Sequence, residues 1–244
     1  MDSQTQAHIY LAEQRGRLET DSFRSYHFFN FGAYVAESRE PFGPLCLLND
    51  DSLRAGTTLS MQVEQPMEVV LLPVVGGLGY TIAEATAFLE PGQAAVLSLA
   101  AGMTYQISNP YETELINCLQ IWLQKPSNGF APSVSQTNFD LATVNMLLPL
   151  FGEHDAEAGQ PSGYRGFIGR YDGRQEGTYA IRTASTGKAG RIFVLILQGV
   201  FEVANRLLHE RDGLALQYDH DDVLEFEALS NDALLILLDL SAVG

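Results

Sequence analysis

The sequence predicts an all-β protein built from two barrels or sandwiches in tandem. Three observations carry this. Short apolar segments recur along the chain, among them Ala94–Leu99, Arg191–Leu197 and Ala233–Leu240, with turn-forming clusters between them; this is the mark of many short strands. No segment holds an apolar period of about 3.6 residues long enough to make a convincing helix. The texture changes at Lys125–Gln136 (K-P-S-N-G-F-A-P-S-V-S-Q), whose prolines, glycine and small polar residues read as a linker. The expected organisation is a first barrel over 1–125, a linker over 126–139 and a second barrel over 140–244.

The elements follow in order. His8–Ala12 is a first short strand, and Ser25–Tyr34 (S-Y-H-F-F-N-F-G-A-Y) is aromatic-rich enough to line a core or a barrel mouth. His27 within it reads as a hydrogen-bonded packing residue. Pro44–Leu48 is the next strand, closed by Asn49-Asp50-Asp51 as a turn cluster. Pro73 cannot donate to a ladder and marks an edge or a bulge. Glu84–Leu89, Ala94–Leu99, Tyr105–Ser108 and Glu114–Leu123 complete the first half. Leu141–Phe151 is apolar without a clean period, and strand and helix both stay open there. Beyond it, Thr178–Thr183, Arg191–Leu197, Val200–Ala204, Gly213–Tyr218, Val223–Ala228 and Ala233–Leu240 read as strands. Asp219-His220-Asp221-Asp222 reads as a solvated acidic turn between two of them.

Composition narrows the function. The chain has 244 residues, is 46% hydrophobic and 18% charged, and carries a formal net charge of −16. Such a charge repels phosphate backbones and anionic lipid, so neither nucleic acid nor a membrane is an expected partner. The two cysteines, Cys46 and Cys118, lie inside apolar runs and form no zinc or disulfide pattern. Inert buried thiols suit a reducing compartment. With no signal-peptide pattern at the start, a cytoplasmic protein is expected, and a monomer.

The chemistry concentrates in Gly56–Gly76 (G-T-T-L-S-M-Q-V-E-Q-P-M-E-V-V-L-L-P-V-V-G). On a continuous strand Gln62, Glu64 and Glu68 would share one face and aim an amide and two carboxylates at one point. The spacing G-x5-Gln62-x-Glu64-x3-Glu68-x7-G resembles the first cupin motif, G-x5-H-x-H-x3/4-E-x6-G, with the imidazoles replaced. Ala100-Ala101-Gly102-Met103-Thr104-Tyr105 followed by Asn109 echoes the second.

Further stretches resemble the pirin family of bicupins, including its bacterial quercetinase-like members. Ser25-Tyr26-His27-Phe28-Phe29-Asn30-Phe31 resembles S-W-H-T-F-S-F, and Leu48-Asn49-Asp50-Asp51 resembles I-N-D-D. Met67-Glu68-Val69 stands for M-E-I, Ser108-Asn109-Pro110 for Y-N-P, and Leu119-Gln120-Ile121-Trp122 for Y-Q-I-W. Asp212-Gly213-Leu214-Ala215 and Leu237-Leu238-Asp239-Leu240 match the second cupin. The resemblance implies two jelly-roll cupin barrels and a transition metal held in the first by H-P-H and H-S-E. Those ligand positions fall on Gln62, Glu64, Tyr105 and Ile107. Only Glu64 is a strong donor, with Glu68 as support. Tyr105 would have to lose a proton that leaves near pH 10 when unperturbed. No H-x-H occurs, and His8, His27, His154, His209 and His220 are scattered.

The expectation is a pirin-like bicupin without the family's metal and without a cofactor, leaning away from catalysis. Its first barrel, lined by Gln62, Glu64, Glu68, Tyr105, Ile107 and Met103, is either a pocket for a small organic ligand or a packed core. A quercetin dioxygenase with an oxygen-rich metal site is one alternative. A protein-interaction module in transcriptional regulation is the other.

Overall fold

The computed structural model describes residues 6–125, 131–152, 163–181, 183 and 189–241. In chain order the first strands are β1 (Gln6–Tyr10), β2 (Gly16–Glu19), β3 (Phe23–His27), β4 (Leu45–Leu53), β5 (Thr58–Gln62) and β6 (Met67–Val75). Next come β7 (Leu78–Ile82), β8 (Ala85–Leu89), β9 (Gln93–Leu99), β10 (Thr104–Ser108), β11 (Ile116–Gln124) and β12 (Ser133–Asn138). The later strands are β13 (Met146–Phe151), β14 (Arg165–Tyr171), β15 (Glu176–Ile181), β16 (Gly190–Gln198) and β17 (Phe201–Val203). The last are β18 (Arg206–Leu208), β19 (Gly213–Tyr218), β20 (Asp222–Ala228) and β21 (Ala233–Asp239). The one helical turn among the described residues is the 3-10 segment Ala12–Gln14. No helix among them is long and apolar enough to cross a membrane.

The chain divides into two compact units, Arg15–Asn138 and a second made of the residues up to Gln14 with Phe139 onward. The first pairs a seven-stranded sheet, β12-β9-β6-β11-β4-β3-β2, with a four-stranded one, β5-β10-β7-β8. The second pairs a six-stranded sheet, β1-β19-β16-β21-β14-β13, with β15-β20-β17-β18. Each is an antiparallel jelly roll of the cupin type, as the strand pattern predicts.

Period-two burial builds each core. In the first unit Met67, Val69 and Leu71 of β6, Ala95, Leu97 and Leu99 of β9, and Tyr105 and Ile107 of β10 meet between the sheets. In the second, Ile192, Val194 and Ile196 of β16 meet Leu224 and Phe226 of β20 and Leu235 and Leu237 of β21. The glycines that bracket the key stretch, Gly56 and Gly76, have φ of 69° and 71°, a region where any side chain is strained. Pro73 lies past the last β6–β9 pair at Leu71, and β11 shifts register beside it, between Asn117 and Cys118; this is the expected bulge.

The structure corrects three expectations. Asn49-Asp50-Asp51 is not a turn but the middle of β4, paired with β3 on one side and β11 on the other. Tertiary partners outweigh turn propensity here: Asp50 is held by Arg15 and Asn117, and Asn49 and Asp51 by groups inside the barrel. The expected linker 126–139 contains β12, bonded to β9 through all six of its residues. As an exposed edge strand it has no buried face to print an apolar period on the sequence. Residues 126–130 of that linker lie outside the described residues. The spans 1–125 and 140–244 shift accordingly, because β1 pairs with β19 of the second unit. Leu141–Phe151, left open by the sequence, ends in strand β13. Asp219–Asp221 is the connection between β19 and β20, as expected of the acidic turn.

Candidate functional site

The first unit contains a cavity of about 610 Å³. Phe31, Leu47, Met61, Met67 and Trp122 give it an apolar wall, with Cys46 and Pro41 beside them. Asn30, Ser60, Gln62, Glu64, Gln65 and Gln124 supply its polar groups. It runs along β5, an edge strand bonded only to β10. That position explains why three consecutive residues, Ser60, Met61 and Gln62, all border it. Gln124 Nε2 donates to Gln65 Oε1 at 2.6 Å, tying the end of β11 to the segment after β5. Among the described residues, Glu64 is the single carboxylate of the lining, and no lysine or arginine is part of it.

The structure separates the expected ligand positions. Tyr105 pairs in register with Met61, and Gln62 pairs with Thr104. Directly paired residues share a face and successive residues alternate, so Gln62 projects away from Tyr105 and Ile107. Gln62 and Glu64 are exposed at the cavity border, and Gln62 Nε2 donates to the Gly102 carbonyl at 3.1 Å. Tyr105 and Ile107 are 1% and 0% exposed, inside the core. Met103 packs half-buried against that core and accepts the Ala100 N–H on its sulfur at 3.3 Å. Glu68 does not share a face with Gln62 and Glu64. The chain breaks strand geometry between β5 and β6, and Glu68 lies on the opposite side of β6 from Met67 and Val69, where Lys125 holds it at 2.6 Å.

Behind the cavity wall lies a polar chain that the sequence did not single out. Trp122 Nε1 donates to the Tyr105 hydroxyl at 2.9 Å, and that hydroxyl donates to Gln120 Oε1 at 2.5 Å. Gln120 Nε2 donates to Asp51 Oδ2 at 2.6 Å. Ser25 also bonds Asp51, and the His27 imidazole Nδ1 lies 3.3 Å from Ser25 Oγ and 2.9 Å from Asn49 Oδ1. All seven residues are buried. Register brings them together: Ser25 pairs with Asp51 and His27 with Asn49 across β3–β4, and Gln120 pairs with Asn49 across β4–β11. Ser25, Asn49, Asp51, Tyr105 and Gln120 are each two residues from an apolar residue of that core, so the alternation that builds it also turns these polar groups inward.

Burial sets their protonation. It lifts the Asp51 carboxyl from 3.8 to about 6, against the bonds from Ser25 and Gln120 and with help from the nearby Asp50 charge. It holds the Tyr105 phenol and the Cys118 thiol well above their ordinary values. It pushes the Cys46 thiol up and the His27 imidazole down, the latter against its bond to Asn49.

Comparison with known proteins follows this geometry. No family model matches the sequence. Over 143 residues the chain is 28% identical to the quercetin 2,3-dioxygenase of Escherichia coli K12, a stretch covering 57% of this chain and 62% of that protein. It is 25% identical over 243 residues to a pirin-like protein of Caulobacter vibrioides, covering 93% of this chain and 96% of that one. The crystal structure of YhhW from Escherichia coli matches with a TM-score of 0.83 at 21% identity, over 98% of this chain and 99% of that one. The fold is that of a bacterial pirin. The sequence relatives support the pirin- and quercetinase-like cupins as its family.

YhhW has also been solved with nickel(II), and that structure matches with a TM-score of 0.82. The residues of this pirin fold do not fit such an ion. Gln62 and Tyr105 project to opposite faces, Ile107 has no donor, and the Tyr105 oxygen is engaged by both Trp122 and Gln120. Among the described residues, no group of three or more His, Cys, Asp or Glu side chains is placed to hold a metal. His154 lies outside the described residues.

Proposed function

We propose that this protein is a pirin-like bicupin that binds a small organic molecule in its first barrel without the family's metal centre, and that it acts as a binding or regulatory protein rather than a dioxygenase. The observation that carries this reading is the cavity of about 610 Å³, apolar on the wall and sparsely polar at the border. That size and mixture match pockets that hold drug-sized ligands. An open cavity favours a ligand over a filled barrel, and over a pure protein-interaction role. The walls offer two methionines and two aromatic rings, soft polarisable surfaces for a flat apolar molecule. With one carboxylate and no cation among the described lining residues, uncharged or cationic ligands are favoured over anions.

A second reading draws on the relative named quercetin 2,3-dioxygenase: that this chain opens quercetin with a metal held by oxygen donors. Glu68 offers such a site little, because Lys125 holds it on the other face of its strand. The test uses Trp122, the single tryptophan of the chain, which stands in the cavity wall. Metal-stripped protein is titrated with quercetin and with the neutral dye Nile red, and tryptophan emission is followed. Saturable quenching by either probe, with no consumption of quercetin and no stoichiometric uptake of Ni²⁺, Fe²⁺ or Mn²⁺ on incubation, is the expected result. One tightly bound metal equivalent with oxygen-dependent loss of quercetin would replace this reading with the second.

A further inference from the structure

The buried polar chain has a fixed direction. Its cavity end is the Trp122 indole, which can only donate, and its other end is Asp51, which only accepts when ionised. Between them the Tyr105 hydroxyl and the Gln120 amide are forced to point the same way, each donating toward Asp51. A second arm also ends on the carboxylate. Ser25 donates to Asp51, and His27 Nδ1 faces the acceptor Asn49 Oδ1 at 2.9 Å. Each arm ends at an aromatic ring of the cavity wall. Trp122 is one, and Phe31, 5.1 Å from the His27 ring between centroids, is the other.

A proton on Asp51 works against that arrangement: the carboxyl gains an O–H that needs an acceptor, while both arms aim hydrogens at it. Reversing the Ser25 arm takes three changes: rotation of the hydroxyl, a new imidazole tautomer and a flip of Asn49. Releasing the other arm takes one, a rotation of the Gln120 amide about its terminal torsion, which is soft. A turned Gln120 presents its NH₂ to the Tyr105 oxygen, where it competes with the Trp122 indole.

We propose that Asp51 and Trp122 are the two ends of a buried switch, in which the protonation state of Asp51, passed through Gln120 and Tyr105, sets the position of the Trp122 ring in the cavity wall and so the affinity of the cavity for its ligand. The consequence for affinity rests on the small-molecule reading above; the switch itself does not. The surroundings of Asp51 suit it to titrate. Burial places its carboxyl at about 6. From β4, Asp50 adds negative charge, while it is itself paired with Arg15 at 2.9 Å. From β11, the Cys118 thiol stands in register with Asp51 and stays protonated, as does the Tyr105 phenol of β10. From β3, His27 is held toward its neutral form by burial. No cation is among the groups that set its protonation. Tyr105, Gln120 and Asp51 are thus positioning residues for Trp122.

The experiment follows tryptophan emission of the ligand-free full chain from about pH 4.5 to about pH 8, with the Asp51 carboxyl observed in parallel by ¹³C NMR. Wild-type emission is expected to follow one proton with a midpoint of about 6. Asp51→Asn should abolish that transition. Tyr105→Phe removes the hydroxyl between Gln120 and Trp122, so emission should become flat while the carboxyl still titrates, a split that loss of packing alone would not produce. The Nile red Kd should shift severalfold across the same interval in wild type and stay constant in Asp51→Asn. Flat wild-type emission, or a transition that survives either substitution, would overturn the switch. Failure of Nile red and quercetin to bind would overturn the small-molecule reading instead, and the emission titration would still decide the switch.

Discussion

Asp51 should destabilise the folded protein at neutral pH, and removing its charge should make the protein more stable. The perturbation is Asp51→Asn. The carboxamide keeps the size of the side chain and stands in for the protonated carboxyl. Burial raises the folded-state value from 3.8 to about 6, so the folded state binds the proton more tightly than the unfolded chain does. Between those values stability falls as pH rises, because the folded state must give up a proton that the unfolded state has already lost. The full cost stands above the folded value, and a shift of about two units corresponds to about 3 kcal/mol. The difference in unfolding free energy, Asp51→Asn minus wild type, should therefore grow by about 2 to 2.5 kcal/mol between about pH 4 and about pH 7. Carboxylates common to both proteins cancel in that difference, and so does any pH-independent cost of rearranging the bonds to Ser25 and Gln120. Urea unfolding at a series of pH values measures it. A difference that stays constant with pH, or shrinks as pH rises, would refute the reasoning and with it the placement of Asp51 as a buried, uncompensated carboxyl.

Three further outcomes are expected. Glu68→Gln leaves the buried end of the Lys125 pair without its charge and should cost on the order of 1–3 kcal/mol in urea unfolding, while quenching of Trp122 by Nile red is unchanged; weakened probe binding would place Glu68 at the cavity after all. Cys46→Phe projects a ring into the cavity border and should weaken Nile red at least tenfold in the emission titration, with no large change in the midpoint of unfolding. In the second unit Glu227 pairs in register with Glu176 on one side and Glu202 on the other, and like charges directly opposed are unfavourable, so Glu202→Lys should raise stability by about 0.5–1 kcal/mol in low salt and by less in high salt.

The fold was legible because its strands are two-sided. β6, β9, β16 and β21 are buried along most of their lengths and read as apolar runs between glycine and asparagine turns. What escaped were elements whose burial leaves no such pattern. β12 is an exposed edge, so Ser133–Asn138 looks like the linker that precedes it. In β4, Asn49-Asp50-Asp51 has the composition of a turn, and only partners distant in sequence, Ser25, His27 and Gln120, make those positions strand interior.

The site was legible in place but not in orientation. The Gly56–Gly76 stretch does border the cavity, and Trp122 of Leu119-Gln120-Ile121-Trp122 does face it. Motif spacing and resemblance assigned Gln62, Glu64, Tyr105 and Ile107 to one centre, with Glu68 as support. Yet spacing fixes a face only while the strand is unbroken, and a one-residue change of register moves every side chain to the other face. Here the Met61–Tyr105 pairing puts Gln62 outside, and the break before Pro66 leaves Glu68 buried on the face of β6 away from Met67 and Val69. The residues that do meet inside, Asp51, Gln120 and Tyr105, come from three strands, and nothing in the sequence pattern assigned Asp51 or Gln120 a role in a site. A reading for chemistry could have found them by one signal: a carboxylate, an amide and a phenol, each with an apolar neighbour two residues away. Each such position is buried if the strand is real, and a buried polar group needs a partner. The three that need partners here are one another's.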